Sequence, residues 1–276
     1  MARSLLSPGV AKMPKVKSLC IAWFCIVPLT ASAQTADEIV NKALVARGGV
    51  ETIKAVQSER VTGRISFTGG LGGTFVLELK RPRKMRLEIA VGGQKAIRVY
   101  DGKSAGWMIN PFAENKDVQP MPEEELKSIS EESDFDGPLV DYKTKGNQIE
   151  LVGKEEFDDK PVYRLKLTNK NGDVRFYFFD AASFVLVKWE GIRRIEDKEF
   201  PWESLFSDYR DIQGLKYPFQ IEQGSPGTEI KQNLVTEKIE IDPQIDDSRF
   251  GKPAAPPPPL APPAEAAPSP SPRSAP

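Results

Sequence analysis

From Ser58 onward the chain places apolar residues at every second position, and that period limits its fold more than any other feature. Phe75, Leu77 and Leu79 alternate with Val76, Glu78 and Lys80, and Met85, Leu87 and Ile89 alternate with Arg86 and Glu88. A period of two is the pleat of a β-strand, with one apolar face and one wet face. Turn signals divide the pattern at Gly69-Gly70, Gly92-Gly93, Asp101-Gly102, Gly146-Asn147, Asn171-Gly172, Gly214 and Pro226-Gly227. Between them lie about eleven expected strands, near 59–68, 74–81, 84–90, 95–100, 105–110, 148–153, 161–169, 173–180, 183–191, 204–223 with a break at Gly214, and 228–241. Connections this short join antiparallel neighbours, because parallel strands need crossovers of about a dozen residues or more.

Two segments depart from the period. Thr35-Ala36-Asp37-Glu38 is a capping box, and Ile39, Val40, Ala43 and Leu44 follow at helical spacing until Gly48-Gly49 stops the helix. Glu51 to Val56 suits a further turn or two. Within 111–147, Pro122 and Glu123-Glu124-Glu125 suit a first helical turn, and Leu126 and Ile129 form a thin apolar stripe. The expected fold is therefore α+β and mainly antiparallel β: a curved, incomplete β-barrel of about eleven strands with an N-terminal helix and a covering helix. A sheet this wide curls, since flat open sheets of that size are uncommon. Two helices do not fill its concave face tightly, and an apolar cavity there is the expected consequence.

Residue content excludes much chemistry. The sequence has no histidine, so Ser-His-Asp and Cys-His nucleophile systems and His-ligated zinc are ruled out. Cys20 and Cys25 lie in an N-terminal stretch that reads as a signal peptide: Lys12, Lys15 and Lys17, an apolar run from Leu19 to Leu29, then Ala31-Ser32-Ala33. Cleavage after Ala33 is expected, giving a periplasmic protein without thiols. It would also turn 38 basic and 39 acidic residues into 34 and 39, and the resulting net charge of −5 gives no electrostatic case for nucleic acid. Residues 34–250 suit one domain. Residues 251–276 read as a disordered Pro/Ala/Ser-rich tail, with 11 prolines among the last 25 residues, able to serve as a spacer or to meet an envelope protein partner. Asp134-Phe135-Asp136-Gly137 with Asp141 lacks the full calcium-loop pattern, and no pair of carboxylates is singled out for glycoside hydrolysis. No metal and no cofactor is expected.

The most distinctive stretch runs from Tyr100 through Asp101-Gly102 and Trp107 to Asn110-Pro111-Phe112. Together with Ala46-Arg47-Gly48-Gly49, Gly63-Arg64-Ile65 and Tyr209-Arg210-Asp211 before Gly214-Leu215-Lys216-Tyr217-Pro218, it resembles the LolA-like superfamily of outer-membrane lipoprotein-sorting proteins. The resemblance covers nearly all of residues 34–250. It implies an incomplete barrel closed by helices that holds a lipidated protein or free lipid without catalysis, in a role compatible with transient membrane contact. A non-catalytic scaffold or stress-sensing module that docks partners through the sheet and tail is the alternative. From strand alternation, the expected wall of the cavity is Phe75, Leu77, Met85, Leu87, Trp107 and Ile109.

Overall fold

The computed structural model describes residues 34–254 apart from 196, 197 and 230. The expected signal peptide lies outside the described residues, as does the tail beyond residue 254.

Among the described residues three α-helices precede or interrupt the strands. Helix α1 (Ala36–Arg47) starts on the capping box read from the sequence: the Glu38 N–H donates to Thr35 Oγ1 at 3.2 Å and the Thr35 N–H to Glu38 Oε2 at 3.1 Å. It ends at Gly48, whose φ of 131° is left-handed, and a Cβ there would lie 2.3 Å from the Gly214 carbonyl oxygen. Only glycine lets the helix end close against that turn, which fixes α1 on the sheet. Helix α2 (Val50–Ala55) is a turn and a half, and α3 (Glu123–Glu132) begins after Pro122 with its three acids at the positive end of the dipole.

The strands are β1 (Ser58–Phe67), β2 (Gly72–Lys80), β3 (Lys84–Val91), β4 (Gln94–Tyr100), β5 (Gly106–Ile109), β6 (Gln119–Pro120), β7 (Gln148–Phe157), β8 (Lys160–Thr168), β9 (Val174–Asp180), β10 (Leu186–Ile195), β11 (Lys198–Ile212), β12 (Leu215–Gly224) and β13 (Lys231–Ile241). They form one antiparallel sheet in the order β6-β5-β4-β3-β2-β1-β13-β12-β11-β10-β9-β8-β7. The sheet has thirteen strands rather than about eleven, for two reasons. Gly214 sits in a true hairpin turn that splits the expected 204–223 strand into β11 and β12, and β6 is a two-residue bridge too short to leave a periodic signal.

The sheet is open, with β6 and β7 as its edges, and it is strongly curled. On α3, Glu125 and Glu132 pair with Arg98 of β4 at 3.2 and 3.1 Å, while Glu131 pairs with Arg175 of β9 at 3.1 Å. Strands β4 and β9 are eight places apart in the order, roughly 38 Å if the sheet were flat at ~4.8 Å per strand. A ten-residue helix is only about 15 Å long. The sheet must therefore wrap around α3, and the face carrying Arg98 and Arg175 is concave.

Register assigns the other side chains to faces. Leu77↔Leu87, Leu79↔Met85 and Met85↔Tyr100 place those residues on the concave face, where α3 adds Leu126 and the fully buried Ile129. Farther along the same face, Leu165, Leu167, Tyr177, Phe179 and Leu215 pack against Ile39, Val40, Ala43 and Leu44 of α1. On the convex face Arg60, Glu78, Arg86 and Glu88 form an ionic network. A strap over residues 242–250 covers it, with Arg249 reaching Glu78 at 2.8 Å and Glu88 at 3.1 Å. Each acid in this network has cationic partners, as burial of charge requires.

Candidate functional site

The six expected wall residues do not share one face. Phe75, Leu77, Met85 and Leu87 are concave. Register pairs Val99↔Trp107 and Ile97↔Ile109, and Val99 and Ile97 are in phase with Arg86 and Glu88 on the convex side. Trp107 and Ile109 accordingly pack under the strap, with Ile245 and Phe250. This corrects the expectation of one common wall. Alternation within a strand fixes which residues go together, but the phase between strands depends on turn geometry. The four concave residues are also covered: Phe75 packs with Ile65 and Val91, and the other three lie in the cluster beneath α3.

An open volume lies elsewhere on the concave face, between α1, the 136–139 segment and strands β9 to β12. It measures about 270 Å³. Leu44, Phe179, Phe184, Leu186, Tyr209 and Tyr217 supply much of its lining. Each has a local cause. Phe179 and Leu186 are opposite one another across the β9–β10 pair, next to a register shift. Phe184 has a φ of 58°, a left-handed position in the turn between those strands, and its ring stacks on Tyr163 at 5.8 Å between centroids. Lys42 of α1 caps the same ring at 4.9 Å.

Few polar groups enter this apolar lining. Tyr209 donates to the Leu186 carbonyl at 2.6 Å, and Tyr217 donates to Glu59 Oε2 at 2.7 Å. Burial raises the pKa of both phenols, and the Glu59 charge raises that of Tyr217 further. The Glu59 carboxyl is also pushed up by burial, against the opposing pull of Tyr217 and Arg47. Arg47, the last residue of α1, donates from Nη1 to the Asp136 carbonyl at 2.8 Å. The Asp136 carboxylate is held by Arg81 at 2.6 Å; burial would raise its pKa, but Arg81 lowers it overall. The other acids of that loop are engaged likewise, Asp134 by Lys145 at 2.7 Å and Asp141 by Lys54 at 2.6 Å. The loop read as a weak calcium candidate is thus a set of ion pairs that anchors the wall of the cavity.

The lining residues left no site signal in their spacing, yet two of their stretches stand out in the sequence. Val174 to Phe179 and Phe184 to Val187 are apolar on both faces, and the Tyr209 to Pro218 segment carries part of the family resemblance.

No family model and no curated protein matches the chain. Solved structures do. A DUF1329 family protein from Desulfovibrio piger superposes with a TM-score of 0.55 at 14% identity, over 79% of this chain and 98% of that one. A LolA superfamily protein from Nitrosomonas europaea superposes with a TM-score of 0.52 at 15% identity, over 80% of this chain and 99% of that one. An open, curled antiparallel sheet with helices held on its concave face, shared over nearly the full length of both, is the LolA-like fold, and this chain has it.

Proposed function

We propose that the protein is a periplasmic lipid- or lipoprotein-binding protein, a non-catalytic carrier that takes the apolar part of an amphiphile into its concave-face cavity. The observation that carries this reading is the 270 Å³ space between α1 and β9 to β12, lined chiefly by aliphatic and aromatic side chains. An apolar recess in an otherwise close-packed interior is a site for apolar ligand surface. The LolA-like fold supports the reading, as does the signal-like start of the chain. A role in outer-membrane lipoprotein sorting follows from the same resemblance. Cargo with several acyl chains needs more room than this cavity has. In this proposal the added wall is Phe75, Leu77, Met85 and Leu87, uncovered when α3 lifts from them. Uptake of a fluorescent acyl probe tests the core of the reading. Saturable binding of one probe per chain, displaced by unlabelled amphiphile, is expected, and a signal that never saturates counts against it.

A further inference from the structure

The cavity lining holds a guanidinium with spare donors. Three charged side chains lie in it or beside it: Arg47 and Asp136 in the lining, with Glu59 behind Tyr217. Both acids are engaged, Asp136 by Arg81 and Glu59 by the Tyr217 hydroxyl. Arg47 is engaged only in part, by the Asp136 carbonyl and by the charge of Glu59. Among the described residues Arg47 makes one hydrogen bond, to a backbone carbonyl, although a guanidinium has five N–H donors. Half-buried in a lining that includes Leu44, Phe179 and Leu186, a guanidinium gains from a counter-charge delivered inside the cavity.

Size narrows the ligand further. At roughly 30 Å³ per water-sized group, the cavity accepts about nine such groups. One short tail fits and two do not.

We infer that the cavity binds a single-chain amphiphile with a small anionic head, which Arg47 grips by charge-assisted hydrogen bonds while the tail lies on Phe179, Phe184 and Leu186. The inference rests on the cavity being the binding site. It is separable from that reading by keeping the tail constant and changing the head.

Isothermal titration of the full chain with decanoate, decanol and decyltrimethylammonium makes the separation, and decyl phosphate distinguishes a carboxylate-selective site from a general anion site. Decanoate is expected to bind at least roughly tenfold tighter than decanol, the usual scale for a hydrogen bond to a charged group, and the ammonium weakest. In Arg47→Gln the advantage of decanoate over decanol disappears, and in Arg47→Lys part of the advantage returns. Equal binding of decanoate and decanol by the wild-type chain overturns the head-group site and leaves the cavity standing. Binding of none of the four overturns both. The wild-type comparison is decisive even if Arg47→Gln does not fold.

Discussion

Replacing Ala43 with leucine tests whether the space between α1 and β9 to β12 is open to a ligand. Ala43 is 5% exposed and lines the cavity, and leucine is almost as good a helix former as alanine. The substitution adds three carbon atoms. If they enter open apolar space, burial at ~0.8 kcal/mol per methylene contributes up to about 2 kcal/mol of stability. For a domain of this length that raises the Tm by roughly 4–8 °C. The same three groups displace about a third of the tail, so acyl-probe affinity falls by about 2 kcal/mol, roughly thirtyfold. In a closed core the added carbons would instead cost about 1–3 kcal/mol of overpacking. Differential scanning calorimetry and probe titration give both numbers. A lowered Tm with undiminished uptake would mean ordinary core at Ala43 and a ligand site elsewhere.

Other perturbations separate stability from binding. Ile129→Ala removes the fully buried anchor of α3 and is expected to cost about 2–5 kcal/mol in urea unfolding, with the affinity of a short acyl probe unchanged because α3 is not a wall of the cavity. Trp107→Gln, under the convex strap, is likewise expected to lower the Tm without altering uptake. Burial would raise the Glu88 pKa, but the Lys95 and Arg86 bonds outweigh it and hold the carboxyl at about 2 against an ordinary 4.5. The sign follows from that depression: this contribution, on the order of 3 kcal/mol, is complete above pH ~4.5 and is lost as the pH falls toward ~2. The deficit of Glu88→Gln in urea unfolding should therefore narrow over that window, and a deficit independent of pH would contradict it. Glu59 has the opposite sign. Its raised pKa makes the fold less stable as the pH rises from 4.5, and Glu59→Gln is expected to flatten that slope.

Much of this molecule is legible in its sequence, in proportion to how local each determinant is. The Thr35 capping box, the Gly48 stop and the period of β2 and β3 depend on neighbours a few residues away, and all stand where the pattern puts them. The face of Trp107 does not follow from such a pattern. The phase of β5 relative to β4 is set by the Asp101 turn, where Asp101 Oδ1 accepts from the N–H groups of Lys103, Ser104 and Ala105. Curling is legible only as a necessity of strand number. That the sheet wraps α3, and that α3 fills one half of the concave face while α1 leaves a gap over the other, depends on contacts such as Arg98 to Glu132 and Arg175 to Glu131. Those contacts link residues 34 and 44 positions apart. The gap was hidden for the same reason: Phe179 and Leu186 read as core until the elements facing them are known.

In the function proposed above, the cavity beside α1 holds the tail of an amphiphile. Native mass spectrometry of the protein purified from the envelope that produces it tests this most directly. A population carrying one added small amphiphile, stripped by collisional activation and diminished in Ala43→Leu, is expected. A wholly apo spectrum that stays apo when decanoate and decanol are added would contradict it.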